Sequence, residues 1–99
     1  MATVYILYST SIDGYYTGSC LDLTVRLEEH LNNTYANAHT GRASDWQLYL
    51  RIDALEYGQA RKIESHIKSM KSRNYIENLK KYPELVIGLV TRYDAGSSR

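Results

Sequence analysis

Hydrophobic positions in this chain switch between two periods, and the switches mark out the elements. Thr3 to Thr10 is a run of Val, Tyr, Ile and Leu that predicts a β-strand. Ser11-Ile12-Asp13-Gly14 predicts a turn, with Gly14 supplying any positive φ the turn needs. Tyr15 to Ser19 returns as a short second strand, and Gly18 near its end admits a close approach to the backbone. Trp46 to Ile52 alternates, which predicts a half-buried strand with Trp46, Leu48, Leu50 and Ile52 on one face.

Between and after the strands the apolar spacing lengthens to a helical one. Asp22 is placed to cap a helix over Leu23 to Leu31, with Leu23, Leu27 and Leu31 inward and Arg26 and His30 sharing a second face. Ala60, Ile63, Ile67 and Met70 form the stripe of a helix over Tyr57 to Met70. Ser72 caps a shorter helix through Lys81, with Tyr75, Ile76 and Leu79 inward, and Pro83 starts a last one over Glu84 to Tyr93. Asn32 to Asp45 is a polar loop carrying His39, Thr40 and Arg42, and the tail at 94–99 is expected to fray. The order β-β-α-β-α-α-α implies an α+β fold: a small, mostly antiparallel three-stranded sheet flanked by helices, one domain over 1–93.

Composition narrows the classes. A chain of 99 residues carries one modest core. No apolar run reaches the length of a membrane span, and no basic stretch followed by an apolar one opens the chain, so neither a membrane partner nor a signal peptide is expected. Cys20 is the single cysteine, which excludes an internal disulfide and suits a reducing cytoplasm. With three scattered histidines it makes no zinc cluster.

Charge adds a location. Residues 1–56 hold three basic and seven acidic side chains, a net −4, whereas 57–82 hold seven basic and two acidic ones, a net +5. A basic block in a near-neutral protein suits a phosphate-binding face, and it also suits a solvated helix face. Four residues have the chemistry for more: Tyr5, Tyr16, Arg26 and Glu64. Taken singly, each also has a plain account. The tyrosines pack a strand, Arg26 pairs with Asp22 or Glu29, and Glu64 pairs with Lys68 one helical turn on.

In order, the segments V-Y-I-L-Y-S, Y-Y-T-G-S, D-L-x-x-R-L-x-x-H and A-R-K-I-E-x-x-I-K resemble the GIY-YIG nuclease superfamily. They are most similar to its small bacterial single-domain members related to the N-terminal domain of the nuclease component of excinuclease ABC. Thr3-Val4-Tyr5 stands for the first triplet and Tyr16-Thr17-Gly18 for the second. The resemblance implies a metal-dependent endonuclease that hydrolyses DNA phosphodiester bonds, structure-selective and acting in repair or recombination. It implies that Tyr5 and Tyr16 line the site and that one of them orients or deprotonates the attacking water. Arg26 would face the scissile phosphate, and Glu64 would hold a single Mg²⁺ or Mn²⁺ ion. His30 would support the phosphate or a tyrosine, and Gly18 would let the phosphate come close. Asn74 and Asn78 both lie where many members carry a supporting polar residue.

The expected partner is DNA that is branched, nicked or single-stranded, bound by a monomer or homodimer. Lys62, Lys68, Lys71 and Arg73 would contact its backbone, with His39 and Arg42 from the loop. Two other classes remain open: a nucleic-acid-binding module with this fold and little turnover, and a tyrosine-rich protein interface.

Overall fold

The computed structural model describes residues 1–31 and 45–94, with the backbone alone for 29–31. The element order is β1 (Ala2–Ser9), β2 (Gly14–Cys20), α1 (Leu23–Leu31), β3 (Trp46–Leu55), α2 (Tyr57–Met70), α3 (Arg73–Lys81) and α4 (Pro83–Arg92). The three strands form one antiparallel sheet in the order β2-β1-β3. This is the α+β arrangement expected from the apolar periods. No helix among the described residues is long and apolar enough to cross a membrane.

The central strand reads as a continuous apolar run because both its faces are covered. Every residue from Ala2 to Leu7 is buried. On one face Tyr5 and Leu7 pack with Cys20, Leu23 of α1 and Trp46. On the other, Ala2, Val4 and Ile6 pack with Ile52 and Leu55, with Ala60, Ile63 and Ile67 of α2, and with Leu79 and Leu89 of α3 and α4. Met70, expected in the α2 stripe, is 44% exposed. It is the last residue of the helix, beyond the reach of the sheet.

β3 departs from its expected alternation. Leu7 pairs with Leu48 and Ile6 with Leu50, so Tyr49 is an inserted residue, a bulge. One extra residue reverses the facing of everything beyond it. Trp46 and Leu48 therefore lie on the α1 side and Leu50 and Ile52 on the α2 side, not all four together. A second irregularity lies between Val4–Ile52 and Ala2–Leu55, where Ala54 has φ 61°, and the strand runs on to Leu55.

The β1–β2 turn also differs in detail. Asp13, not Gly14, takes the positive φ, at 48°. Its carboxylate accepts hydrogen bonds from Tyr8 Oη at 2.6 Å and from the Arg73 guanidinium at 2.9 Å. Asp and Asn are the side chains that best tolerate this region. Beside it, Asp45 accepts from Ser9 Oγ, Ser11 Oγ and the Ser11 backbone N–H, tying the start of β3 to the same end of the sheet.

The caps form where the sequence puts them. Asp22 Oδ1 accepts from the Val25 N–H at 3.2 Å, and Ser72 Oγ accepts from the Tyr75 N–H at 3.2 Å. Pro83 opens α4. The Asn32–Asp45 loop, apart from Asp45, and the tail beyond Asp94 lie outside the described residues.

Candidate active site

The site forms at the free edge of β2, where side chains from both faces of the sheet come around to meet. Tyr5 pairs with Gly18 and Leu7 with Tyr16, so Tyr5 and Tyr16 are diagonal neighbours on the α1 face. Their ring centroids are 6.3 Å apart. Ser19 alternates to the opposite face, toward α2. There its hydroxyl donates to Glu64 Oε1 at 2.5 Å. Glu64 is one position past the buried Ile63, about 100° around the helix, which turns it from the core to the sheet edge. Arg26 comes from the first turn of α1. These residues line one cavity of about 490 Å³, together with Tyr57 and Arg61.

Tyr5 is a buried phenol, 1% exposed. Burial raises its pKa above the ordinary tyrosine range, the neighbouring Tyr16 adds to this, and Arg26 opposes it. A nearby cation such as Arg26 lowers a tyrosine's pKa. The direction of that effect holds, but desolvation outweighs it. Tyr5 therefore keeps its proton at neutral pH, and its hydroxyl is able to donate a hydrogen bond. Tyr16 is only partly buried and sits between Tyr5 and the Lys68 ammonium, which lies 5.8 Å from its ring centroid.

Gly18 has a packing reason in addition to the expected one. A Cβ built on it would lie 2.5 Å from Tyr5 Oη, 2.7 Å from Tyr5 Cζ and 3.2 Å from Tyr16 Cε2. The close approach it permits is that of the Tyr5 ring, and Gly18 itself lines the cavity beside that ring.

Glu64, with Asp22 at the start of α1, is one of two carboxylates lining the cavity. Its side chain is 17% exposed, and Oε2 pairs with Lys68 Nζ at 2.7 Å. Among the described residues no cluster of three or more His, Cys, Asp or Glu is poised to hold a metal. A single carboxylate nevertheless fits Mg²⁺, which keeps most of its waters and takes substrate phosphate oxygens as further ligands. The donor is a hard oxygen already oriented by Ser19, and Lys68 is half exposed, so its ion pair is readily exchanged.

The remaining sequence candidates divide. Lys68, Lys71 and Arg73 line a second cavity of about 460 Å³ that shares Tyr16 with the first. Arg73, expected on DNA, is engaged within the fold. It bonds the Asp13 carboxylate and carbonyl and lies 5.4 Å from the Tyr15 ring centroid. Lys62 lines neither cavity. It is about 160° around α2 from Glu64, on the solvent side. Asn74 and Asn78 are exposed on α3 and line neither cavity. His39 and Arg42, and the side chain of His30, lie outside the described residues.

Tyr8 and Tyr15, the other tyrosines of the hairpin, lie 4.9 Å apart between ring centroids, and Tyr49 packs on them at 5.1 Å from Tyr15 and 6.5 Å from Tyr8. Burial and Tyr49 push Tyr15 up to about 12. Ser19, Tyr57 and Arg61 also line the site, and the sequence did not mark them out for it. The Arg61 guanidinium donates to Tyr57 Oη at 3.0 Å. The signal was there, since 57, 61, 64 and 68 follow one face of a helix.

Neither a curated protein nor a solved structure matches the chain. The family model described as the GIY-YIG catalytic domain matches residues 1–82, a span that contains the sheet, α1, α2, α3 and every residue of the cavity. The chain thus belongs to the GIY-YIG family of nucleases.

Proposed function

We propose that the protein is a divalent-metal-dependent endonuclease acting on DNA. The observation that carries this reading is the convergence of Tyr5, Tyr16, Arg26 and Glu64, from four elements, on one cavity at the sheet edge. Water attacks phosphorus, the P–O3′ bond breaks, and the products are a 5′-phosphate and a 3′-hydroxyl.

Each residue has a chemistry suited to that reaction. Arg26 presents a guanidinium fork to the non-bridging oxygens, where charge accumulates. Arg61, across the cavity, adds a second cation oriented by Tyr57. Tyr5 donates its proton in a hydrogen bond and holds Tyr16 in place. Tyr16 orients the attacking water. Glu64 would hold the Mg²⁺ or Mn²⁺ ion, with Ser19 fixing the carboxylate rotamer. When bound, the ion supplies Lewis-acid stabilisation of the phosphate and the leaving oxygen. The branched, nicked or single-stranded character of the substrate, a role in DNA repair, kinship with the nuclease component of excinuclease ABC and action in a reducing cytoplasm belong to the same proposal. The buried free thiol of Cys20 suits that compartment.

One observation favours a second reading, a nucleic-acid-binding domain without turnover: Lys68 Nζ sits against the carboxylate oxygen a metal would use. Incubating the protein with single-stranded, nicked and branched DNA in Mg²⁺ or Mn²⁺ separates the two. Cutting that falls about 10²- to 10³-fold in Arg26→Ala and in Glu64→Ala, with binding retained, supports the nuclease. Binding by parent and variants with cutting by none supports the module.

A further inference from the structure

The second cavity lies against the first and is built differently. Its wall is apolar, made by Ile67 and Ile76 with the Tyr15 and Tyr16 rings. Its rim is basic, made by Lys68, Lys71 and Arg73. Two of those cations are already engaged, Lys68 with Glu64 and Arg73 with Asp13. Lys71 is exposed and makes no ion pair among the described residues.

Lys71 is also conformationally out of place. It ends α2 with φ 48° and ψ 41°, the left-handed geometry in which helices commonly place glycine. A lysine there is disfavoured by its Cβ. The fold has no need of its side chain, yet a long cation occupies the position and lines the cavity. Strained residues of this kind concentrate at ligand sites.

We propose that this cavity is a subsite for an unpaired nucleotide adjoining the scissile phosphate, with Lys71 on its phosphate and its base against the Ile76–Tyr16 wall. Two features select single-stranded nucleic acid. The basic rim meets the backbone charge, and the apolar wall needs an exposed base face, which a duplex hides in its own stack. Tyr16 borders both cavities, so a strand leaving the catalytic one enters this one directly. The inference rests on the nuclease reading and refines it: the preferred substrate has an unpaired flank beside the cut.

The test uses labelled oligodeoxynucleotides in EDTA, with fluorescence anisotropy as the readout. Parent protein should bind a single-stranded 12-mer more tightly than the matching duplex. Lys71→Gly should weaken that binding on the order of tenfold and lower the slope of log K against log salt by about 0.7. Its Tm should be no lower than the parent's, because glycine suits the backbone there. Lys71→Arg should restore binding. Unchanged binding in a folded Lys71→Gly protein, or a parent preference for duplex, overturns the subsite. The two readings fail differently. Lys71-dependent binding with no cutting of any DNA leaves the subsite standing and removes the nuclease. Cutting with no preference for an unpaired flank does the reverse.

Discussion

Replacing Gly18 by alanine should damage stability and catalysis together, and the structure sets the scale. The new methyl would lie 2.5 Å from Tyr5 Oη and 2.7 Å from Cζ. An ordinary contact is about 3.5 Å, so the ring must retreat about 1 Å. Tyr5 is 1% exposed and packed on the α1 face with Leu7, Cys20, Leu23 and Trp46, so its ring shifts only by disturbing those neighbours or by swinging into the cavity it lines. Overpacking of this kind costs about 1–3 kcal/mol. For a domain of this size each kcal/mol lowers Tm by roughly 4–8 °C. A misplacement of about 1 Å at a reacting centre costs on the order of 10²-fold in rate. Thermal melts and cleavage of a single-stranded substrate in Mn²⁺ measure both effects on the same preparation. The double variant Gly18→Ala/Tyr5→Phe, which removes the nearest atom, should recover part of the lost stability but none of the lost activity. A Gly18→Ala protein with parental Tm and parental cleavage would refute the placement of Tyr5 above Gly18.

Single contacts make three further expectations testable. Arg73→Ala should lower Tm at pH 7 by releasing the β1–β2 turn; Arg73 first, then Tyr8, hold the Asp13 carboxyl below its usual pKa. That contribution is present above the unfolded pKa and lost as pH falls through the folded one, so the gap between variant and parent in melts should narrow as pH falls below ~4. Ser19→Ala should raise the Mn²⁺ concentration for half-maximal cleavage by about 10-fold or more while leaving the rate at saturating metal nearly intact, since Ser19 orients Glu64 without touching phosphate; equal loss at every metal concentration would count against that role. Tyr5→Phe should cut the rate by about 10²-fold. It should also soften alkaline destabilisation, because the folded protein keeps the Tyr5 proton while the unfolded chain releases it near pH ~10, so stability is present below that pH and falls above it; melts at pH 8 and 10.5 compare the two.

Much of this molecule follows from local chemistry that any reader of the sequence can apply. Asp22 and Ser72 accept from backbone N–H groups three residues ahead, and Pro83 starts a helix whose first turn needs no donor from it. The Ala60, Ile63 and Ile67 stripe packs on the sheet because its spacing is that of a helix. The order of the elements rests on such near-neighbour rules, whereas the grouping of the four candidate residues came from the likeness to a known family and not from local spacing.

The rest depended on contacts between segments far apart in the chain. The bulge at Tyr49 sends Leu50 and Ile52 to a different face from Trp46 and Leu48, and an alternating pattern looks the same with or without one inserted residue. Arg73 looked like a DNA contact because its charge is visible in the sequence, whereas its partner Asp13 lies 60 positions away. Gly18 shows only that some group comes close; the register with Tyr5 decides that the group is a tyrosine ring. By itself the sequence determined the elements, their caps and the types of chemistry present, because those depend on a residue and its neighbours within a few positions. Only the tertiary structure decided which side chain fills which space and which cations are already spent, because burial, register and pairing are properties of surfaces that meet only once the chain has folded.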